Sequence, residues 1–157
     1  MGSFLAAAEG RFQWSLFALA CLTTIFLQVL SNLANDYGDS IHGADHAERL
    51  GPKRAVQSGK ISLEAMRRAV VLFAGASFVS GCLLLYIAFG FNWQLLGFFL
   101  GLGLLSILAA VGYTVGKKPY GYLGLGDLSV FLFFGLVGVM GTYFLFTHDF
   151  NSSIIWP

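Results

Sequence analysis

Four almost unbroken apolar runs organise the chain, over residues 14–33, 69–89, 93–115 and 128–146. A bilayer's hydrocarbon is crossed by about 20 consecutive apolar residues in a helix. With no water there to satisfy backbone groups, the spacing predicts four transmembrane helices in an all-α membrane bundle. The first and second runs are separated by a polar stretch over 34–68, the second and third only by Gly90, Phe91 and Asn92, and the third and fourth by 116–127. The three-residue link predicts a tight helical hairpin. An N-terminal apolar patch from Phe4 to Ala8 is too short to span, lacks the basic start of a signal peptide, and has Ala6 where myristoylation favours Ser or Thr. It reads as the tail of a preceding helix. Gly97 and Gly101 form a GxxxG pair on the third run, and Gly135, Gly138 and Gly141 recur on the fourth. Small residues at this spacing predict close helix packing rather than chemistry.

Composition sharpens the class. Charged residues make up 11% of the chain, against about 25% in soluble domains, and the mean hydropathy of +0.74 excludes a water-soluble or disordered chain. Cys21 and Cys82 both fall inside apolar runs and read as membrane-buried thiols rather than a disulfide framework. A net charge of +1 gives no case for nucleic acid. The placement of charge is more telling: Arg49, Lys53, Arg54, Lys60, Arg67 and Arg68 lie in the first polar stretch and Lys117 and Lys118 in the second, with only Arg11 on the opposite side. Eight of nine basic residues on one side predict that side to be cytoplasmic.

The first run carries a polar stripe. Gln28, Asn32, Asn35 and Asp39 fall at i, i+4, i+7 and i+11, one helix face, and Asp36 stands one turn from both Asn32 and Asp39. Amides and acids at a helix end could be merely interfacial and solvated. Gln28 and Asn32 lie within the apolar span, however, where polar groups are costly enough to predict a lined cavity. Two carboxylates at i and i+3 do not comfortably ionise together without a cation between them. Hard oxygen ligands that leave coordination positions open describe Mg²⁺, which takes one or two carboxylates plus substrate phosphates.

Bases follow the acids, from Asp45 through Arg49, Lys53 and Arg54 to Lys60, with Gly51, Pro52 and Gly59 supplying turns. Beside a metal, such a cluster suits a diphosphate; alone, it would be a juxtamembrane loop that sets topology and touches anionic lipid. The adjacency of acids and bases favours the diphosphate. His42 and His46 have the i, i+4 spacing of a zinc pair, but Gly43 stands where a zincin has its catalytic Glu. The segment from Asp36 also fails as a calcium loop, because position 12 is Ala47. Both histidines are expected in a polar loop.

The sequence Gln-Val-Leu-Ser-Asn-Leu-Ala-Asn-Asp-Tyr-Gly-Asp from Gln28 to Asp39, followed by Gly43, Asp45, Arg49, Gly51, Pro52, Arg54, Gln57 and Gly59, resembles the first aspartate-rich motif of the UbiA superfamily of membrane prenyltransferases. Tyr113-Thr-Val-Gly-Lys-Lys-Pro-Tyr-Gly-Tyr, with Gly124-Leu-Gly-Asp127, is similar to a second stretch of its naphthoate-prenylating branch. The resemblance implies transfer of a polyprenyl group from a polyprenyl diphosphate to 1,4-dihydroxy-2-naphthoate with decarboxylation, and Mg²⁺ as cofactor. It assigns Asp36 and Asp39 as metal ligands and Asn32 and Asn35 to the same catalytic face. The family's third acid would fall at Gly43; Asp45, two positions on, is the candidate instead. Arg49, Arg54, Lys117 and Lys118 become candidates for holding diphosphate, and Gln28, Tyr113 and Asp127 for the aromatic-substrate pocket. An acid at a helix N-terminus is the alternative account of Asp127.

Family members carry a second aspartate-rich motif in a later half, whereas only Asp127 and Asp149 follow the first motif's loop and helix boundary here. The expectation is a chain equivalent to the N-terminal half of a larger enzyme, lacking a first helix and the C-terminal half, packed in membrane lipid, and inactive alone. Two other functions fit the pattern less well. A transporter or channel fragment would bind a permeating cation at Gln28, Asn32 and Asp36, but such sites tend to the bilayer midplane in broken helices. A structural subunit would leave the acids without use.

Overall fold

A computed structural model describes residues 1–43 and 54–149 of the chain. Asp45, His46 and Arg49 therefore lie outside the described residues. Among those described the fold is all-helical: α1 (Gly2–Ala8), α2 (Trp14–His42), α3 (Leu63–Phe89), α4 (Trp93–Gly112), a 3-10 turn (Tyr120–Leu123), then α5 (Gly126–Val130), a π-type segment (Phe131–Gly141) and α6 (Thr142–Thr147) in one continuous rod. Four rods, α2, α3, α4 and Gly126–Thr147, are long and apolar enough to cross a membrane.

Local chemistry explains the boundaries. α2 starts after Gln13 in extended conformation and ends at Gly43, whose φ of 65° is the left-handed geometry that glycine adopts without strain. It thus runs through the first polar residues of the 34–68 stretch to His42, which corrects the placement of His42 in a loop: nothing between Asn32 and His42 breaks a helix. Ser62 caps α3 by accepting from Ala65 N at 3.2 Å, and Asn92 caps α4 by accepting from Leu95 N at 3.2 Å. Gly90, with φ 57°, lets the α3–α4 hairpin close as its three-residue link predicts. The fourth rod departs from the single α-helix expected, because residues Phe131–Gly141 take the wider i+5 hydrogen-bonding pattern.

Two apolar clusters hold the rods together. One joins Leu16 of α2, Leu84, Leu85 and Phe89 of α3, Phe99 of α4 and Tyr143 of α6. α1, too short to span as expected, packs its buried Ala6 into this cluster. The other joins Leu30 and Ala34 of α2 to Val70 of α3, with Tyr37, Phe73, Val111 and Val115 around them. Within the span, Thr23 Oγ1 donates to Ser80 Oγ at 3.1 Å, tying α2 to α3 where lipid offers no competing partner. Many large apolar side chains, Val71, Leu72, Leu108 and Phe134 among them, point outward. In a bilayer that surface is the solvated one.

The GxxxG expectation is corrected. A Cβ at Gly97, Gly101 or Gly103 would meet nothing within 4 Å, so these glycines support no close helix contact among the described residues. Close approaches occur elsewhere: at Gly2 of α1, where a Cβ would meet Val139 O and Tyr143 N of the fourth rod, and at Gly38, where a Cβ would lie 2.5 Å from Thr114 O and 2.6 Å from Thr114 Cβ. The Gly38 contact joins the C-terminal ends of α2 and of the α4 segment, directly beside the acidic motif.

Candidate functional site

The α2 terminus is fixed before any side chain of the site is placed. Thr114 is buried, and its Oγ1 lies 2.9 Å from Ala34 O and 3.2 Å from Asn35 Oδ1, donating its hydroxyl hydrogen to these acceptors. Beyond Gly38, the His42 ring places Nδ1 2.8 Å from Gly38 O and Nε2 2.8 Å from Gly116 O. These contacts dock residues 114–116 on the last turns of α2.

Asp39 is 8% exposed and engaged at both oxygens. Tyr122 donates its hydroxyl to Oδ1 at 2.6 Å, and Arg54 reaches Oδ2 at 2.6 Å through its guanidinium. Asp36 differs. Its Oδ2 accepts from the backbone N–H of Ala55 at 3.1 Å, while its Oδ1 is buried and has no hydrogen-bond partner among the described residues. The dipeptide Arg54–Ala55 therefore straddles both acids. It is held in a turn in which Arg54 N donates to Gln57 Oε1 at 3.3 Å and Ser58 N to Arg54 O at 2.9 Å.

Below the acids lies a cavity of about 980 Å³ between the rods. Gln28, Asn32 and Asn35 line it, as the stripe predicted, together with Tyr113. Phe99, Leu100, Ile107 and Phe133 give it apolar walls, and the free thiol-bearing Cys21 and Cys82 also border it. Asp36 and Asp39 are not among its lining residues. The polar face thus divides into amides along the cavity and carboxylates off it: Asp36, next to Asn35 in sequence, and Asp39, one helical turn further on, do not line the space. Tyr113 is seated by two glycines: a Cβ at Gly121 would stand 2.6 Å from its carbonyl oxygen, and one at Gly126 would stand 2.8 Å from its hydroxyl. Tyr120, stacked edge-on against Tyr113 at 5.3 Å, donates to Ala109 O at 2.8 Å and lies 3.1 Å from Ser129 Oγ.

Three expected residues are not brought to the cavity. Asp127 is exposed in the first turn of α5 and does not line the cavity; its position is that of an acid favoured by a helix N-terminus. Lys117 and Lys118 are also exposed, and neither makes an ion pair among the described residues. Two residues that sequence reasoning did not assign, Tyr122 and Thr114, turn out to hold the acids and Asn35. No spacing in the sequence marks either residue: flanking Gly121 in the 3-10 turn, Tyr120 goes to the cavity wall and Tyr122 to Asp39. Among the described residues no three His, Cys, Asp or Glu side chains converge. The donor set that does form, two carboxylates with one buried oxygen unpaired, fits a hard cation that takes its other ligands from water and phosphate.

The sequence description of the UbiA prenyltransferase family matches residues 1–157, and the chain belongs to that family. It is an integral membrane protein, with four membrane-length rods among the described residues. It is 56% identical over 139 residues to the 1,4-dihydroxy-2-naphthoate octaprenyltransferase of Haemophilus influenzae, covering 88% of this chain and 45% of that protein. Over 157 residues it is 44% identical to the enzyme of the same name from Escherichia coli, covering 100% of this chain and 51% of that one. Similarity extends at 27% identity to the 2-carboxy-1,4-naphthoquinone phytyltransferase of Synechocystis sp., over 100% of this chain and 48% of that protein. The chain spans about half the length of these curated relatives. No solved structure matches it. Family membership does not favour the transporter or structural-subunit alternatives.

Proposed function

We propose that this chain supplies the acid-bearing wall of a site that transfers a polyprenyl group from its diphosphate to 1,4-dihydroxy-2-naphthoate with loss of carboxylate, yielding demethylmenaquinol. The observation that carries this is the pairing of Asp36 and Asp39 with the Arg54–Ala55 turn, next along α2 to Asn35, which lines a largely apolar cavity of about 980 Å³. The names of the relatives support the substrates. Their activity is that of proteins about twice this length, so the assignment is made for the whole protein.

Asp36 and Asp39 would hold Mg²⁺, with Asp45 a further candidate. Bound there, the cation would offset the charge that builds on diphosphate as the prenyl C–O bond breaks. Arg54 is placed to take a diphosphate oxygen beside the acids, and Arg49, Lys117 and Lys118 are the remaining candidates for that role. The apolar walls suit an isoprenoid tail and keep water from the carbocation that develops at its first carbon. Asn35, Asn32 and Gln28 line the same space and offer amide groups to orient the electron-rich naphthoate ring, with Tyr113 opposite them on the α4 segment. Ring attack forms the new C–C bond, and the carboxylate then leaves as carbon dioxide. Eight of nine basic residues on one side support a cytoplasmic mouth in a bacterial inner membrane.

The deciding experiment supplies membranes containing the whole protein with radiolabelled polyprenyl diphosphate, 1,4-dihydroxy-2-naphthoate and Mg²⁺. Prenylated naphthoquinone and stoichiometric diphosphate are the expected products. Absence of both from a folded protein would overturn the proposal.

A further inference from the structure

We infer that Arg54 and a divalent cation compete for the same oxygen of Asp39, and that a diphosphate relieves the competition by taking the guanidinium for itself. The inference rests on Asp36 and Asp39 being cation ligands. It goes beyond that by assigning a coupling between cation and diphosphate to one side chain.

The two acids are not equivalent. Asp36 presents a buried oxygen with no hydrogen-bond partner among the described residues, ready to meet a cation. Asp39 presents none: Tyr122 donates to Oδ1 at 2.6 Å, and the Arg54 guanidinium stands 2.6 Å from Oδ2. The tyrosine is neutral and can share its oxygen with a cation. Arg54 cannot do so without cost. Two positive charges on one carboxylate oxygen would stand a few ångströms apart where water screens them poorly, since the Asp39 side chain is only 11% exposed.

Arg54 also has somewhere to go. Its side chain is 25% exposed, whereas its backbone is pinned by Gln57 on one side and, through Ala55 N, by Asp36 on the other. The long stem is the part that would move, while residues 54–55 stay seated on the acids. A diphosphate offers paired oxygens that match the planar guanidinium fork better than one carboxylate oxygen does. When it takes Arg54, Oδ2 is released to the cation. Each ligand then strengthens the other's binding by the same factor, as linkage requires.

The test uses Mn²⁺ as the cation, counted from the spin-resonance signal of the free ion, and inorganic pyrophosphate as the anion, on the purified protein in lipid nanodiscs. Arg54→Gln is expected to bind Mn²⁺ alone about five- to tenfold more tightly than the parent, as loss of a partly buried ion pair implies. The enhancement of Mn²⁺ binding by pyrophosphate, corrected for their complex in solution, should fall by a similar factor. Arg54→Met, which keeps much of the stem without the charge, should repeat both effects and secures the test if the first variant unfolds. Arg54→Lys, which keeps the charge without the fork, should stay near the parent for Mn²⁺ alone and show a smaller enhancement by pyrophosphate. If Asp39→Asn abolishes Mn²⁺ binding but neither neutral variant binds Mn²⁺ more tightly than the parent, the competition is overturned and the ligand assignment stands. If neither Asp36→Asn nor Asp39→Asn changes Mn²⁺ binding, the ligand assignment fails and the competition fails with it.

Discussion

Asp36 and Asp39 show how far environment separates two identical side chains three residues apart on one helix. One is clamped by a tyrosine and an arginine, and the other keeps an unpaired buried oxygen. Replacing either carboxylate by its isosteric amide, in Asp36→Asn or Asp39→Asn, should lower turnover at least about a hundredfold by analogy with other losses of transition-state charge stabilisation. Thermal unfolding should remain close to the parent in Asp36→Asn, whose amide oxygen can still accept from Ala55 N–H, and should fall in Asp39→Asn, whose amide can accept from only one of Tyr122 and Arg54; initial rates beside a melting curve would check both. Tyr122→Phe tests the clamp rather than the ligand. Loss of a hydrogen bond to a charged group, typically about 1.5–3 kcal/mol, should lower turnover about ten- to a hundredfold without comparable loss of stability, since the ring itself is largely exposed. A rate unchanged in Tyr122→Phe would remove Tyr122 from the site. The acids could be read from their spacing alone, but Tyr122 could not: its hydroxyl meets a residue 83 positions away.

At the level of elements, one crossing sets the geometry of the site. Gly38 and Thr114 bring α2 and the end of the α4 segment into backbone contact, and that contact aligns Asn35 with the cavity and residues 114–116 with the acids. Gly38→Ala would push a methyl group into the Thr114 carbonyl, which cannot move without displacing its chain. The expected cost is about 1–3 kcal/mol from overpacking, accompanied by loss of activity. Gly97→Ala is the internal control. Its added carbon meets nothing within 4 Å, and alanine's helix propensity, about 1 kcal/mol better than glycine's, should leave stability unchanged or raised. Melting temperatures of the two variants in the same detergent decide the point. Equal effects would deny the crossing its role. The sequence favoured the GxxxG pair because its spacing is a packing signal; Gly38 sits in a motif whose polar residues drew attention to chemistry instead.

For the whole molecule, sidedness follows from the basic residues, and accessibility can test it. With Cys21 and Cys82 replaced, a cysteine at exposed Ser58 should react with a membrane-impermeant reagent only from the cytoplasmic side. One at Phe91, chosen because the neighbouring Asn92 caps α4, should react only from the outside. The reverse pattern would place the site's mouth on the other face. The sequence by itself determined the class of protein, the four membrane rods, the tight α3–α4 hairpin and the amide and acid stripe of α2. All of these are local: run length, helical periodicity and cap residues act within a few turns of chain. Only the tertiary structure decided which residues meet the stripe. It brought Tyr122, Thr114 and Arg54 to the α2 terminus, left Asp127 off the cavity and Lys117 and Lys118 exposed, and put close glycine contacts at Gly2 and Gly38 rather than at Gly97 and Gly101. In apolar rods, almost any face can be buried or lipid-exposed at little cost, because lipid and protein interiors are similarly apolar. The hydrophobic pattern that marks the spans therefore carries little information about how they turn toward one another, and a few hydrogen bonds and close glycine contacts settle it.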